Sequence, residues 1–502
     1  MRKRFPASFY NLTTLFGFSV ALTMFALVVF LIVLDSWRGF TNPYMGLITY
    51  IALPAVLLFG LVVGFVGIIR TRRRMVAGDP ERQYPVIDLN SARARNVGTL
   101  MAGGGIVLMA LSGFGTYQAY EYTESNKFCG ETCHTVMSPE YTAFDHSPHA
   151  EIECKQCHIG PGAENYVESK MAGTKQLYAM VTGTYGAPIP TPVENLRDSK
   201  QTCERCHWTS QYYSPKMNTS IHYLADEANT PHQISMLVKV GSTEPGKSEG
   251  IHAHMYLDST VSYIATDPQR QNIAYVELRD EKGNVIVYHD KENPLSPDKI
   301  RTSKKVTVNC TDCHNRPAHK FPHPNTSLDE AFTRGLLDVS IPEFKTVARD
   351  AMEAKYKTQK DGIAAIQTTI LTYYKDNYPD VMKAKQASLD RSIAEVQKIF
   401  ARSYFPEMKA DWKAHPDNLD HIHSNGCFRC HDGKKVSPEG RVISKDCQTC
   451  HLIVAQGPPG KNLPTKLEGQ EFIHPVDIGD AWKDTPCKDC HGASEDEEEA
   501  EE

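Results

Sequence analysis

Residues 154–158 read Cys-Lys-Gln-Cys-His, and this C-x-x-C-H pattern decides how the rest of the chain is interpreted. The pattern occurs six times in 502 residues, and a further copy at 129–134, Cys-Gly-Glu-Thr-Cys-His, has one extra residue between its cysteines. The seven copies use all 14 cysteines of the chain. In chain order, motifs one to seven are Cys129/Cys133/His134, Cys154/Cys157/His158, Cys203/Cys206/His207, Cys310/Cys313/His314, Cys427/Cys430/His431, Cys447/Cys450/His451 and Cys487/Cys490/His491.

This spacing suits the covalent attachment of haem c. Two thiols so placed reach the two vinyl groups of one porphyrin, while the imidazole that follows reaches the iron. Since no cysteine is left over, structural zinc sites, redox dithiols and a disulfide framework are excluded. The sequence therefore predicts seven covalently bound haem c groups, each with the motif histidine as its proximal iron ligand.

Three segments near the N-terminus, 15–34, 44–69 and 97–120, contain no charged residue. Each is at least as long as the roughly 20 residues that cross a bilayer as a helix. Basic residues occupy 2–4, and seven arginines fall within 70–95, whereas 35–43 holds only Arg38. The positive-inside rule therefore predicts an uncleaved, multi-pass anchor in a bacterial inner membrane, with a cytoplasmic N-terminus and everything after residue 120 in the periplasm.

The predicted fold is a multihaem cytochrome c. Three N-terminal transmembrane helices precede a largely helical, loop-rich periplasmic haem domain with a small antiparallel β insertion, since residues 260–288 alternate in polarity around a Gly-Asn turn. The net charge of −6 gives no indication of nucleic-acid binding. The predicted regions are the anchor (1–120), a four-haem region (121–214 with 301–325), a β insertion (215–300), a helical spacer (326–412), a three-haem region (413–493) and a disordered acidic tail (494–502). Alternatively, the tail is a docking patch for a basic cytochrome.

No histidine precedes His134, so the predicted membrane helices cannot supply imidazole ligands to a b-type haem. Electrons must then enter at the outer surface, either from a quinol or from another membrane subunit. Residues 164–186 have the pattern of an interfacial amphipathic helix, and Lys170, Lys175 and Gln176, together with Glu168, are the candidates for a quinol pocket. The alternative is that these lysines contact lipid phosphates.

From residue 123 the chain resembles the NapC/NirT/NrfH family of membrane-anchored multihaem quinol dehydrogenases. The resemblance lies in 123–137, in Asp-His-Ser-Pro-His at 145–149 followed by motif two, and in 310–319. It implies oxidation of a membrane quinol, with menaquinol the expected species, and a periplasmic cytochrome or reductase as electron acceptor. It also implies His149 and His319 as distal ligands, in the pairs His207/His319 and His314/His149, and Lys170 near the second iron or the quinol.

The resemblance covers 97–214 and 301–325, and the chain departs from the family in two respects. Family members usually have one anchor helix and four haems. Their first motif is C-x-x-C-H-x-M, whereas here both spacings are longer by one, which leaves Met137 as an open candidate ligand. The extended heptahaem cytochromes of the inner membrane in metal-respiring bacteria resemble the whole arrangement more closely.

Six further histidines compete as distal ligands of the remaining haems. They matter because two imidazoles give a low-spin iron suited to electron transfer, whereas an open sixth position suits catalysis. His421 and one of His252 or His254 are the preferred candidates. The others are His423, His474 and His415.

The leading functional hypothesis is a quinol dehydrogenase of anaerobic respiration that passes electrons along its haems to the periplasm. One alternative is a non-catalytic electron-transfer subunit docked on another membrane complex. A second is a terminal reductase of a small nitrogen compound, although no motif replaces its proximal histidine by lysine.

Overall fold

A computed structural model describes residues 9, 11–38, 53–78, 90–132, 134–193, 196–208, 214–241, 250–255, 260–280, 282–460 and 463–493. The chain divides into two compact units. The anchor unit comprises 1–125 and 158–175, and the second unit comprises 126–157 and 176–502. Cys133, the start of the second predicted membrane segment and the acidic tail 494–502 lie outside the described residues.

The anchor unit contains three long helices, Leu12–Arg38, Leu53–Val76 and Ala92–Thr123. The first two pack closely, because Gly17 of one helix lies against Gly64 of the other, where any Cβ would overlap backbone atoms. Away from that contact, apolar side chains such as Leu22 (70%) and Val62 (59%) are exposed, as expected of residues that face lipid.

Two helical segments of the described chain, Leu12–Val33 and Leu53–Val76, are long and apolar enough to cross a membrane. This supports two of the three predicted crossings. The helix Ala92–Thr123 contains the third predicted segment but is not among the two, so the third crossing remains a prediction.

The second unit holds two antiparallel sheets. The strands are β1 Lys216–Tyr223, β2 Pro231–Val238, β3 Thr260–Ala265, β4 Ile273–Arg279, β5 Val285–Asp290, β6 Val306–Thr307, β7 Lys435–Val436, β8 His451–Gly457 and β9 Thr465–Gln470. Their order is β1-β2-β8-β9 in one sheet and β6-β3-β4-β5-β7 in the other. The predicted β hairpin is present as β4 and β5. Both sheets extend beyond the predicted insertion, because β7, β8 and β9 come from the C-terminal region.

The main apolar core of the second unit lies in the predicted spacer. Its helices are Pro324–Thr333, Phe344–Glu353, Gln359–Asn377 and Pro379–Ser403. Ile370 and Leu389 are fully buried where the two longest helices pack. The last helix begins at Pro379, since proline suits a first helical position and disfavours helix in the residue before it.

The remaining helices of the second unit are short or flank the haem motifs. They are His134–Asp145, Cys154–His158, Ser199–Thr202, Pro297–Thr302, Cys310–Cys313, Ala481–Asp484 and Cys487–His491. Residues 163–175 of one further helix, Ala163–Thr182, belong to the anchor unit.

Candidate functional site: paired histidines and a buried carboxylate

Most of the motifs fold as a single helical turn. Examples are Cys154–His158 and Cys487–His491, which are α-helical, and Cys447–Thr449, which is a 3₁₀ turn. In motifs three and four the backbone N–H of the histidine donates to the carbonyl of the first cysteine at 2.8 Å. Such a turn places both cysteines and the histidine on adjacent positions of one short segment. The side chain of His134, like Cys133, lies outside the described part of the chain.

The motif cysteines differ in their exposure to solvent. Four of them are exposed, namely Cys157, Cys206, Cys447 and Cys490, whereas the other described cysteines are partly buried. The role of the cysteines in haem attachment is a prediction from the spacing of the motifs.

Five motif histidines each face a histidine from elsewhere in the chain. The distances between ring centres fall in a narrow range. They are 6.0 Å for His149/His207, 6.5 Å for His252/His314, 5.9 Å for His254/His431, 6.2 Å for His421/His451 and 6.0 Å for His474/His491.

This separation fits two imidazoles on opposite sides of one metal ion. A metal–imidazole bond is about 2.0 Å long, which places the centres of two opposed rings roughly 6 Å apart. Direct stacking of two rings would bring them closer, as it does for His323 and His423 at 3.6 Å. The spacing of the five pairs is compatible with two ligands of one haem iron, and ordinary ring contacts such as Phe144/His319 at 6.2 Å share it.

The hydrogen bonds of these rings decide which nitrogen can bind a metal. Nδ1 of His252 lies 3.0 Å from the carbonyl of Val240, and Nδ1 of His431 lies 2.9 Å from that of Ser444. Because a carbonyl can only accept, each Nδ1 carries the proton and Nε2 keeps its lone pair. Burial lowers the pKa of His252, His314 and His431, so these rings are neutral at pH 7.

The facing partners differ from the pairs that the family resemblance implies. His149 faces His207 rather than His314, and His252 takes the place opposite His314. His319 lies beside Phe144, and its Nδ1 donates to the carbonyl of Glu140 at 2.9 Å.

The other candidate ligands have different surroundings. His423 stacks on His323, and its Nδ1 lies 2.8 Å from Asp420. His415 is buried against Phe321, with a ring-centre distance of 5.5 Å. Met137 lies half-buried within the first turn of the helix His134–Asp145.

Cysteines of successive motifs influence one another along the chain. Partial loss of hydration raises the pKa of Cys157, whose side chain is otherwise exposed, and the thiol of Cys206 raises it further. Burial and then Cys427 raise the pKa of Cys313 to about 11, and the same two causes raise that of Cys450 to about 11. Thiols of three further pairs of successive motifs also affect each other's pKa. They are Cys129 and Cys154 of motifs one and two, Cys203 and Cys310 of motifs three and four, and Cys447 and Cys487 of motifs six and seven. The thiols of successive motifs are thus close enough to interact electrostatically.

The predicted quinol segment forms the helix Ala163–Thr182. Lys175 and Gln176 are exposed on it, whereas Lys170 forms an ion pair with Glu124 and lies 4.9 Å above the ring of Tyr166. Glu124 is only 1% exposed, and its second carboxylate oxygen has no hydrogen-bond partner among the described residues. Glu124 had no predicted role, because its burial depends on a helix that lies far along the chain.

Comparison with known proteins agrees with this arrangement. A model of the N-terminal region of the NapC/NirT cytochrome c family matches residues 91–220. The chain is also 38% identical over 487 residues to the cytochrome c-type protein ImcH of Geobacter sulfurreducens, an alignment that covers 97% of this chain and 96% of that protein. The chain belongs to the NapC/NirT family of c-type cytochromes. Membership confirms the predicted resemblance and implies covalently bound haem c.

A second NapC/NirT-type relative covers only part of the chain. The cytochrome c-type protein NrfH of Wolinella succinogenes is 30% identical over 93 residues, which is 18% of this chain and 52% of that protein. No solved structure matches the chain.

Proposed function

We propose that this protein is a heptahaem cytochrome of the bacterial inner membrane that oxidises menaquinol at the periplasmic face. The electrons pass along the haems to a periplasmic cytochrome or reductase. The N-terminus is cytoplasmic and the haem-bearing residues are periplasmic. The observation that carries the proposal is the buried carboxylate of Glu124, paired with Lys170 directly after the helix Ala92–Thr123.

Quinol oxidation releases two electrons and two protons, so a site for it needs a proton acceptor close to an electron acceptor. Glu124 lies five residues before Cys129, the first haem-attaching residue. Its second oxygen is a buried acceptor that the protein does not satisfy within the described residues, and a quinol hydroxyl supplies the missing donor. Lys170 supplies the counter-charge of the carboxylate until the proton arrives.

Under this proposal, three of the facing histidines are distal ligands of haem iron. They are His149 for the haem of motif three, His421 for that of motif six and His474 for that of motif seven. Haem c supplies a reversible one-electron carrier when it is bound. With a second imidazole ligand, these three haems would carry electrons and would leave no iron position open for a substrate.

The test is anaerobic reduction of the purified protein in liposomes by a menaquinol analogue, with the haem absorbance followed in time. Glu124→Gln keeps the shape of the side chain and removes the base, so we expect quinol-driven reduction to slow by roughly 100-fold or more. The matched control is Glu330→Gln, which alters an exposed carboxylate of the second unit and should leave the rate unchanged. Full reduction by dithionite checks that the haems are intact.

The outcomes separate the candidate functions. A wild-type rate in Glu124→Gln would show that this carboxylate accepts no proton from the quinol. If Lys170→Ala and Lys175→Ala both keep the wild-type rate, the helix Ala163–Thr182 does not line the quinol pocket. If the intact wild-type protein accepts electrons from dithionite but not from the quinol, it is a docked electron-transfer subunit instead.

A further inference from the structure

One short turn carries two of the facing histidines. The 3₁₀ turn Ile251–His254 contains His252, which faces His314 at 6.5 Å, and His254, which faces His431 at 5.9 Å. In a 3₁₀ helix, with three residues per turn, side chains two positions apart point in different directions. The two imidazoles are therefore aimed at two different motifs.

The turn is held firmly in place by the backbone. The N–H of Ile251 donates to the carbonyl of Lys239 at 2.8 Å, directly after β2. Lys239 in turn donates to the carbonyl of Cys450 at 2.9 Å. Nδ1 of His254 lies 2.7 Å from the carbonyl of Ile251, within the turn itself. Nδ1 of His252 lies 3.0 Å from the carbonyl of Val240, so each ring is oriented by a backbone carbonyl and keeps its proton on Nδ1.

Motifs four and five, which the two rings face, also contact each other directly. Arg429, between the cysteines of motif five, donates to the backbone carbonyl of Asp312, between the cysteines of motif four, at 2.6 Å. The side chain of Asn418 donates to the same carbonyl at 2.9 Å. Arg429 and Asp312 are 8% and 4% exposed, so this contact is buried.

We infer that the turn Ile251–His254 supplies the sixth ligand of two haems, His252 to the haem of motif four and His254 to the haem of motif five. Motif four ends the region that resembles the four-haem family members, and motif five begins the C-terminal group. The turn is thus the junction between the two haem groups. This inference rests on the proposed function only in requiring that both motifs carry haem.

The experiment measures iron ligation directly. Ferrous haem binds carbon monoxide only where an axial position is open, so dithionite-reduced protein is titrated with carbon monoxide. We expect His252→Ala and His254→Ala each to bind one haem equivalent more than the wild type, and the double variant to bind two more. Added imidazole should suppress the extra binding. His146→Ala is the matched control, because His146 is exposed and bonds to the carbonyl of Thr142.

The expected spectroscopic change is the loss of one low-spin, bis-imidazole ferric signal in each single variant. Unchanged carbon monoxide binding in both variants would overturn the assignment. So would a double variant that binds no more than a single one, because both histidines would then serve the same haem or none. If an alanine variant does not accumulate, His252→Met and His254→Met retain a ligand and should replace an imidazole pair by a thioether–imidazole signature.

Dithionite makes this test independent of quinol chemistry. If the ligand assignment holds while the wild-type protein fails to oxidise quinol, only the proposed function fails. If quinol reduces the protein but the variants gain no open iron position, the ligand assignment of His252 and His254 is wrong and the proposed function stands.

Discussion

A buried ion pair stabilises the segment after motif four. Both carboxylate oxygens of Glu140 accept from Nη2 of Arg316, at 2.9 and 2.7 Å, and the two side chains are 11% and 6% exposed. Nε of Arg316 donates to the carbonyl of His319 at 2.6 Å. The variant Glu140→Gln would leave the guanidinium buried without its counter-charge.

The size of the effect can be worked out from this burial. Removing one partner of a buried ion pair costs about 3–5 kcal/mol, because the other charge stays buried. The unit that contains both residues, 126–157 and 176–502, has about 360 residues, and an unfolding entropy of roughly 2.1 cal/mol/K per residue makes its melting entropy about 0.75 kcal/mol/K. The melting temperature should therefore fall by about 4–7 °C.

The pKa of Glu140 adds a dependence on pH. Burial alone would raise this pKa, but the Arg316 guanidinium, assisted by His319, lowers it below its ordinary value. A lowered folded-state pKa means that the unfolded state binds the proton more readily. The stabilisation is therefore present above the pKa of the unfolded chain and is lost as the pH falls through the lower folded-state value. The difference between the wild type and Glu140→Gln should shrink accordingly in acid.

The assay is thermal unfolding of the purified protein in detergent, followed by circular dichroism. Glu330→Gln is again the matched control, because an exposed ion pair contributes less than about 1 kcal/mol. Arg316→Gln and the double variant complete a thermodynamic cycle, in which the two effects should be far from additive. A melting temperature for Glu140→Gln no lower than that of the control would refute the argument, as would strict additivity.

Two further predictions concern packing. Gly17→Val should separate the first two anchor helices, because a side chain at this position meets the backbone of Gly64. The yield of folded protein extracted from membranes should therefore fall. Gly98→Val is the control, since Gly98 has open space around it and its replacement should leave the yield unchanged. Ile370→Ala should destabilise the second unit by about 2–5 kcal/mol in thermal unfolding, since the side chain is fully buried, and Thr369→Ala on the exposed face is its control.

The proximal half of each candidate haem site can be proposed from sequence because it is local. Two cysteines and a histidine within five or six residues form one turn, whatever surrounds them. The histidines that face the motif histidines come from other segments, and the sequence alone does not show which segments the fold brings together. His421 illustrates this limit: it precedes motif five in the sequence, yet it faces His451 of motif six. Similarly, sequence alone favoured one of His252 and His254, whereas both face a motif histidine.

In the candidate quinol site, too, the sequence predicted the local element but not its distant partner. The amphipathic helix after motif two was predicted from its periodicity, and the structure contains it as Ala163–Thr182. The partner of Lys170 was not predicted, because an isolated Glu124 between polar residues gives no sign that it is buried. Burial of a charge depends on which helices pack together, and apolar periodicity alone does not specify that.

The β insertion takes on a structural role when these contacts are combined. Three crowded C-terminal motifs have too few residues for a separate apolar core. Their strand β8 begins at His451 and pairs with β2 at Val238, so the sheet fixes the position of the histidine of motif six. The same strand β2 leads, through Lys239, to the backbone bonds that hold His252 and His254. One sheet thus positions histidines that face motifs four and five as well as the motif histidine of six, and a shift of its register would disturb all three sites at once.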